Sequence, residues 1–177
     1  MSKDLTSFPA GFYWGASTAA YQVEGGNENT DWARAARAGR VPPCGEAADH
    51  YRRFEEDFDT ARALGHNAHR FSIEWARIEP EEGKFEEAQI AHYRAVLRAL
   101  HERGITPFIT LWHFTLPEWF AAKGGFEHAD APDLFARYAQ FVVSKLGDEC
   151  VHCWIVVVSS FECSCGSVSV CEGVASV

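Results

Sequence analysis

The sequence predicts an α/β protein in which helices join parallel strands, and three observations carry that expectation. Amphipathic segments recur at helical spacing, each stops at a glycine, and each is followed by an apolar run of strand length. Runs that are apolar throughout and separated by helices match strands covered on both faces. About four strands and three helices are expected on this pattern. Periodicity alone leaves an open doubly wound sheet and a closed barrel as alternatives. No glycine-rich phosphate loop of the dinucleotide or P-loop type follows any strand, which favours the barrel.

The first strand is expected at residues 12–15, and the glycine-rich polar segment 25–45 reads as a long loop. Tyr51, Phe54, Phe58, Ala61 and Leu64 then form one helical face that stops at Gly65, which can take a left-handed cap cheaply. Residues 68–73 follow as a strand. Ile90, Tyr93, Val96, Leu97 and Leu100 form the second face and stop at Gly104, ahead of a strand at 105–111. The third helix is expected to start at Asp130 as N-cap, with Pro132 in its first turn, and to bury Leu134, Tyr138, Phe141 and Val142 before Gly147. Residues 151–158 supply a fourth strand.

A chain of 177 residues, 47% hydrophobic and 23% charged, is long and apolar enough to fold around a core. Its net charge of -9 argues against nucleic acid or an anionic membrane surface as a partner. No basic stretch followed by an apolar run opens the sequence, and no apolar run reaches the roughly 18 residues of a membrane span, so the cytoplasm is the expected compartment. From Cys150 onward the composition shifts to Cys, Ser and Val, and the last basic side chain other than histidine is Lys145. Residues 156–177 therefore read as a divergent or out-of-frame tail behind a unit spanning 1–155. The alternative of a zinc site from Cys150, Cys153, Cys163 and Cys165 suffers from atypical spacing, and no metal is assigned.

Polar and aromatic residues cluster where predicted strands end, the place where barrel enzymes build their sites. Gln22 follows the first strand and can both donate to and accept from adjacent hydroxyls, although a lone glutamine is otherwise an ordinary loop residue. Arg70 interrupts an apolar strand and must find a partner; a structural ion pair would serve equally. His113 ends the third strand among aromatic rings suited to stacking on a sugar face, and a satisfied core histidine is the plainer alternative.

Together these segments, FPAGFYWGASTAAYQVEGG from Phe8, RFSIEW from Arg70 and LWHFTLPEW from Leu111, resemble glycoside hydrolase family 1, the β-glucosidase and β-galactosidase family. So do ENTDWAR and DHYRRFEEDFDTARALGHNAHRFS between them, and the resemblance runs from about Ser7 to Ile155. It implies a partial (β/α)8 barrel and hydrolysis of β-linked glycosides or oligosaccharides with retention, with no cofactor. By resemblance Gln22 and His113 bind the sugar, and Phe114 stands where many members carry tryptophan. Arg70 corresponds to the arginine that contacts the nucleophilic carboxylate.

The family's Trp-Ile-x-x-Asn-Glu-Pro pattern is matched by Trp154 and Ile155 and then fails. Val158, Ser159 and Ser160 occupy the Asn, Glu and Pro places, so Ser159 stands where the resemblance puts the acid/base glutamate. The later Glu-Asn-Gly motif with the nucleophile does not occur in the 177 residues. Retaining hydrolysis needs two carboxyl groups roughly 5 Å apart, so the polypeptide is expected to be inactive. A non-catalytic carbohydrate-binding half-barrel is the alternative. Exposed half-barrel faces are expected to promote self-association.

Overall fold

A computed structural model describes residues 8–149 and the backbone of 154–156. Four strands, β1 (Gly15–Ser17), β2 (Ala68–Ser72), β3 (Thr106–Trp112) and β4 (Trp154–Val156), form one sheet in sequence order, with every pairing parallel. The register places Ser17, Arg70 and Phe108 abreast. Seven α-helices lie among the described residues: α1 (Ala20–Val23), α2 (Asp31–Arg37), α3 (His50–Ala63), α4 (Trp75–Ile78), α5 (Glu87–Glu102), α6 (Glu118–Ala122) and α7 (Ala131–Leu146). The three long ones, α3, α5 and α7, are those the apolar periodicity marks.

The helix that stops before Gly65 does so for the expected reason. Leu64 is the last residue in a right-handed conformation, and Gly65 follows at φ 86°, where a side chain would be strained. α5 turns its apolar stripe inward, and Leu97 and Leu100 are fully buried. On α7 the expected Asp130 cap is not made. The Asp130 side chain accepts no backbone hydrogen bond from the first turn, whereas its own N–H donates to His128 Nδ1 at 3.1 Å. Pro132 still sits in that turn, where its missing N–H costs nothing.

Two expectations are corrected. The first strand lies at Gly15–Ser17 and not at 12–15, because Phe12 and Trp14 are apolar for a different purpose: their rings pack with Phe8 at centroid distances of 4.5–4.9 Å. The Asn67 side chain supplements backbone pairing there, accepting from Trp14 N–H at 2.6 Å and donating to the Phe12 carbonyl at 3.0 Å, while the Trp14 carbonyl accepts from the Asn67 N–H at 2.9 Å. The pairing strand can then come close. A Cβ on Gly15 would lie 2.0 Å from the Ala68 carbonyl oxygen, so glycine is required at that point.

The segment 25–45 is also more than a loop, since it contains α2. Thr30 caps it, its Oγ1 accepting from Ala33 N–H at 3.0 Å, with Asp31 in the first turn and Arg34 and Arg37 near the end. Only Ala33 of this helix is buried, so no apolar stripe advertised it. Of the fourth strand, Trp154–Val156 is seen, and the other residues of 151–158 lie outside the described ones.

Alternation along the strands divides the sheet into two faces. Phe71, Ile109 and Leu111 point toward the helices and join the core with Phe58, Leu97, Leu100, Tyr138 and Val142. Trp75, 1% exposed, stacks on Tyr138 at 4.7 Å and bridges the sheet's carboxyl end to α7. Arg70, Ser72, Phe108 and Thr110 share the opposite face by the same alternation.

Core burial predicts that Leu97→Ala lowers stability by about 2–5 kcal/mol, read as a shift of the urea midpoint at fixed protein concentration, while Leu64→Ala, at a site 72% exposed, changes it by about 0.5 kcal/mol or less. Two histidines make stability pH-dependent. Burial, reinforced by neighbouring positive groups, lowers His69 and His92 to about 4, below the unfolded value. The unfolded chain therefore binds more protons between about 6.5 and 4, and this contribution, complete above that window, is lost as pH falls through it. The stability difference between wild type and His92→Gln should shrink on acidification across that window in denaturation series; a difference independent of pH would refute the assignment.

Candidate functional site

Because all the strands run parallel, their carboxyl ends open on one side, and the residues that leave them meet there. β1 leads through Thr18 and Ala19 into α1, and the Ala20 N–H donates to Ser72 Oγ at the end of β2 at 2.7 Å. β2 leads through Ile73 and Glu74 into α4, and β3 leads into His113, Phe114 and Thr115. Three connections thus share one rim.

Arg70 and His113 are brought together at that rim. Arg70 Nη1 lies 3.2 Å from His113 Nδ1. A guanidinium nitrogen can only donate, so Nδ1 must accept, which leaves the ring proton on Nε2. Burial first, and the adjacent guanidinium second, hold the His113 pKa below its ordinary value, so the ring is neutral at physiological pH. His113 is thereby fixed as a neutral donor whose Nε2–H is turned away from Arg70. Arg70 is half-buried, and among the described residues no carboxylate pairs with it. Desolvation lowers its pKa, but a guanidinium remains charged.

Phe114 is 39% exposed, and its ring meets the His113 ring edge-on at 4.8 Å. Its φ of 66° places it among the few non-glycine residues on the left-handed side. Gln22 stands exposed on α1, and among the described residues its side chain forms no hydrogen bond to Arg70 or His113. The structure brings Arg70, His113 and Phe114 together and leaves Gln22 on a neighbouring segment. Ser159 and the tail cysteines lie outside the described residues. Among the described residues no group of three or more His, Cys, Asp or Glu is arranged to hold a metal ion.

What connects the segments is a buried polar chain that composition does not advertise. Glu74, 2% exposed, has Oε2 accepting from Thr115 Oγ1 at 2.9 Å and Oε1 accepting from Ala76 N–H at 3.3 Å. Its own N–H donates to Tyr93 Oη at 3.0 Å, and Tyr93 in turn donates to Glu24 Oε1 at 2.8 Å. Arg77 Nε donates to Glu24 Oε2 at 2.8 Å, and Nη2 of the same arginine donates to the Gly25 carbonyl at 2.6 Å. Burial raises the pKa of both carboxyls, and Glu24 adds to the effect on Glu74, which reaches about 8. The sequence signal was available: a glutamate inside the apolar run before Trp75, and another beside two glycines, are places where acids are rare unless partnered.

These two acids do not form a cleavage pair. Every carboxyl oxygen of Glu24 and Glu74 is engaged by an internal donor, and both side chains are closed off from solvent. A retaining glycosidase needs its two carboxyl groups roughly 5 Å apart and open to substrate. Glu79 is likewise structural: it accepts from Trp75 Nε1 at 2.9 Å and Gly83 N–H at 2.7 Å, and it pairs with Arg137 of α7.

Relatives of known identity share this architecture. The chain is 37% identical over 163 residues to a 1,4-beta-D-glucan glucohydrolase of Thermotoga neapolitana, covering 86% of this chain and 38% of that one. It is 39% identical over 158 residues to Beta-glucosidase A of Acetivibrio thermocellus, covering 84% and 35% respectively. Among solved structures, a beta-glucosidase from Thermotoga maritima in complex with cyclophellitol superposes with a TM-score of 0.81 at 36% identity, over 85% of this chain and 36% of that one. The apo structure of a beta-glucosidase designated 1317 gives 0.79 at 48% identity, over 82% and 37%. The chain thus spans little more than a third of the length of such relatives, and its sheet and helices form the corresponding part of a (β/α)8 barrel. The model of Glycosyl hydrolase family 1 matches residues 5–160, and the chain belongs to that family.

Proposed function

We propose that the described residues form the sugar-recognising rim of a retaining β-glycosidase acting on terminal β-linked glucosides and related glycosides. In this reading the 177-residue polypeptide is catalytically silent by itself. The observation that carries the first part is the Arg70–His113 contact. It leaves a neutral Nε2–H donor and a half-buried cation with no described carboxylate partner on the same rim. The donor suits a sugar hydroxyl. The cation suits the nucleophilic carboxylate that such a site requires. Gln22 supplies a further donor and acceptor from α1, and the exposed Phe114 ring supplies an apolar wall.

Silence follows from the residue at the acid/base place. Ser159 carries a hydroxyl too weakly acidic to exchange protons near neutrality, and loss of general acid–base help alone costs about 10²–10⁴ in rate. Residues 156–177 are read as a divergent or out-of-frame tail. The alternative, a carbohydrate-binding half-barrel without chemistry, is favoured by the fact that the polar donors are in place while the described carboxylates nearby are sealed. The net charge disfavours nucleic acid and anionic membranes as partners, and none of the described helices is long and apolar enough to cross a membrane. A cytoplasmic setting is part of this proposal. Self-association is proposed at the β1 edge, where Phe8, Phe12 and Trp14 are about half exposed.

Purified 177-residue polypeptide is expected to release no detectable product from an aryl β-glucoside; hydrolysis abolished by Gln22→Ala or His113→Ala would overturn the silence. In calorimetry with gluconolactone, the binding alternative predicts heat that is lost in His113→Ala, whereas a silent fragment without a formed pocket gives none in either protein. Sedimentation should show species larger than a monomer that shift toward monomer in Trp14→Ser, and a compact wild-type monomer would remove the self-association proposal.

A further inference from the structure

Phe114 sits in an unusual turn. The Thr115 N–H donates to the His113 carbonyl at 2.9 Å, closing three residues around a phenylalanine at φ 66°. Turns closed this tightly with a non-glycine centre on the left-handed side are rare and strained, and they persist only where their surroundings over-determine them. Three contacts hold this one. Trp112 Nε1 donates to the Thr115 carbonyl at 3.1 Å, Leu116 N–H donates to Asp31 Oδ1 at 2.9 Å, and Thr115 Oγ1 donates to Glu74 Oε2 at 2.9 Å. Of the groups that receive these bonds, only Glu74 is both titratable and closed off from solvent. Its backbone N–H, held in place with the carboxyl, also reaches the other segment of the rim, through Tyr93 Oη to Glu24, two residues beyond Gln22.

We infer that Glu74 is a positioning residue, which holds the Phe114 turn shut through Thr115, sets His113 against Arg70, and ties that loop through Tyr93 to the segment carrying Gln22. The proposal takes the purpose of those residues from the sugar-site reading, but the positioning itself is measurable without sugar. The physical basis is a neutral hydrogen-bonding acid in a dry setting. Glu24 from the end of α1, Tyr93 from α5, Arg77 from α4 and Tyr138 from α7 are the charged or titratable groups that act on it. Burial and the negative charge of Glu24 outweigh Arg77 and keep the Glu74 proton on to about pH 8. In the neutral acid the 2.9 Å contact to Thr115 runs the other way, Oε2–H donating to Thr115 Oγ1, while Oε1 accepts from Ala76 N–H, so donor and acceptor are both satisfied. Ionisation would place an unscreened anion beside Glu24 and loosen the turn.

The experiment is ring-nitrogen NMR on the full chain labelled in histidine, with the His113 signals assigned by His113→Gln. Wild type should show His113 as the neutral Nε2–H form, titrating below the ordinary value of about 6.5, with a second change in the same signals as pH crosses about 8. Glu74→Gln, a neutral mimic with donor and acceptor, should keep the low-pH signature and lose the change near 8. Thr115→Val and Glu74→Leu should convert His113 to a tautomeric mixture with a raised pKa. A wild-type spectrum flat through pH 8, or a cooperatively folded Thr115→Val with His113 unaltered, overturns the inference. If the apolar variants do not fold, the comparison of wild type with Glu74→Gln decides it. Gluconolactone calorimetry on the same samples separates the two ideas, since absent heat with the NMR pattern intact defeats the sugar reading and leaves the positioning standing.

Discussion

Parallel pairing of β1, β2 and β3 in one register is the constraint on which the other features depend. Strands that run the same way must be rejoined by long crossovers, and α3 and α5 fill the two crossovers between β1, β2 and β3. Those helices need an apolar face to pack on, which fixes Phe71, Ile109 and Leu111 toward them and sends Arg70 and its strand neighbours to the opposite face. The same geometry delivers the connections after each strand to one rim. The meeting of Arg70 with His113, residues 43 apart in sequence, is a consequence of strand direction.

A rim assembled from separate loops has to be fastened, and here buried polar groups do so. Burying an acid is unfavourable unless it is partnered or neutral, and the three glutamates buried among the described residues meet that condition in different ways. Glu24 is paired with Arg77 and Tyr93, Glu79 is surrounded by an indole, a backbone N–H and Arg137, and Glu74 retains its proton. Each joins segments distant in sequence: Glu24 links α1 to α4 and α5, Glu79 links α4 to α7, and Glu74 links α4 to the loop after β3. Removing one partner leaves the other desolvated and unsatisfied, so such links are fixed in geometry as well as energy. The strained turn at Phe114 is a feature that a loosely held loop would not keep.

Much of the fold was legible in the amino-acid order. The three long helices carry apolar stripes that only a helix can align, and Gly65 and Gly104 mark two of their ends through a left-handed backbone. What escaped had no stripe. α2 is set by a threonine cap, and α1, α4 and α6 are single turns whose residues are chosen for the rim or the core. The first strand was displaced because an aromatic cluster and a strand are equally apolar. Sequence cannot distinguish rings that pack on each other from rings that flank a ladder.

At the site, the sequence by itself determined which residue types stand at the strand ends, and it marked Gln22, Arg70, His113 and Phe114 through order and spacing. Tertiary structure decided who touches whom. The imidazole tautomer depends on Arg70 lying 3.2 Å away, and the protonation of Glu74 depends on a dry surrounding shared with Glu24. The physical reason is that hydrogen bonding and desolvation are properties of distance and solvent exclusion. Neither exists in a linear chain until distant residues are brought together.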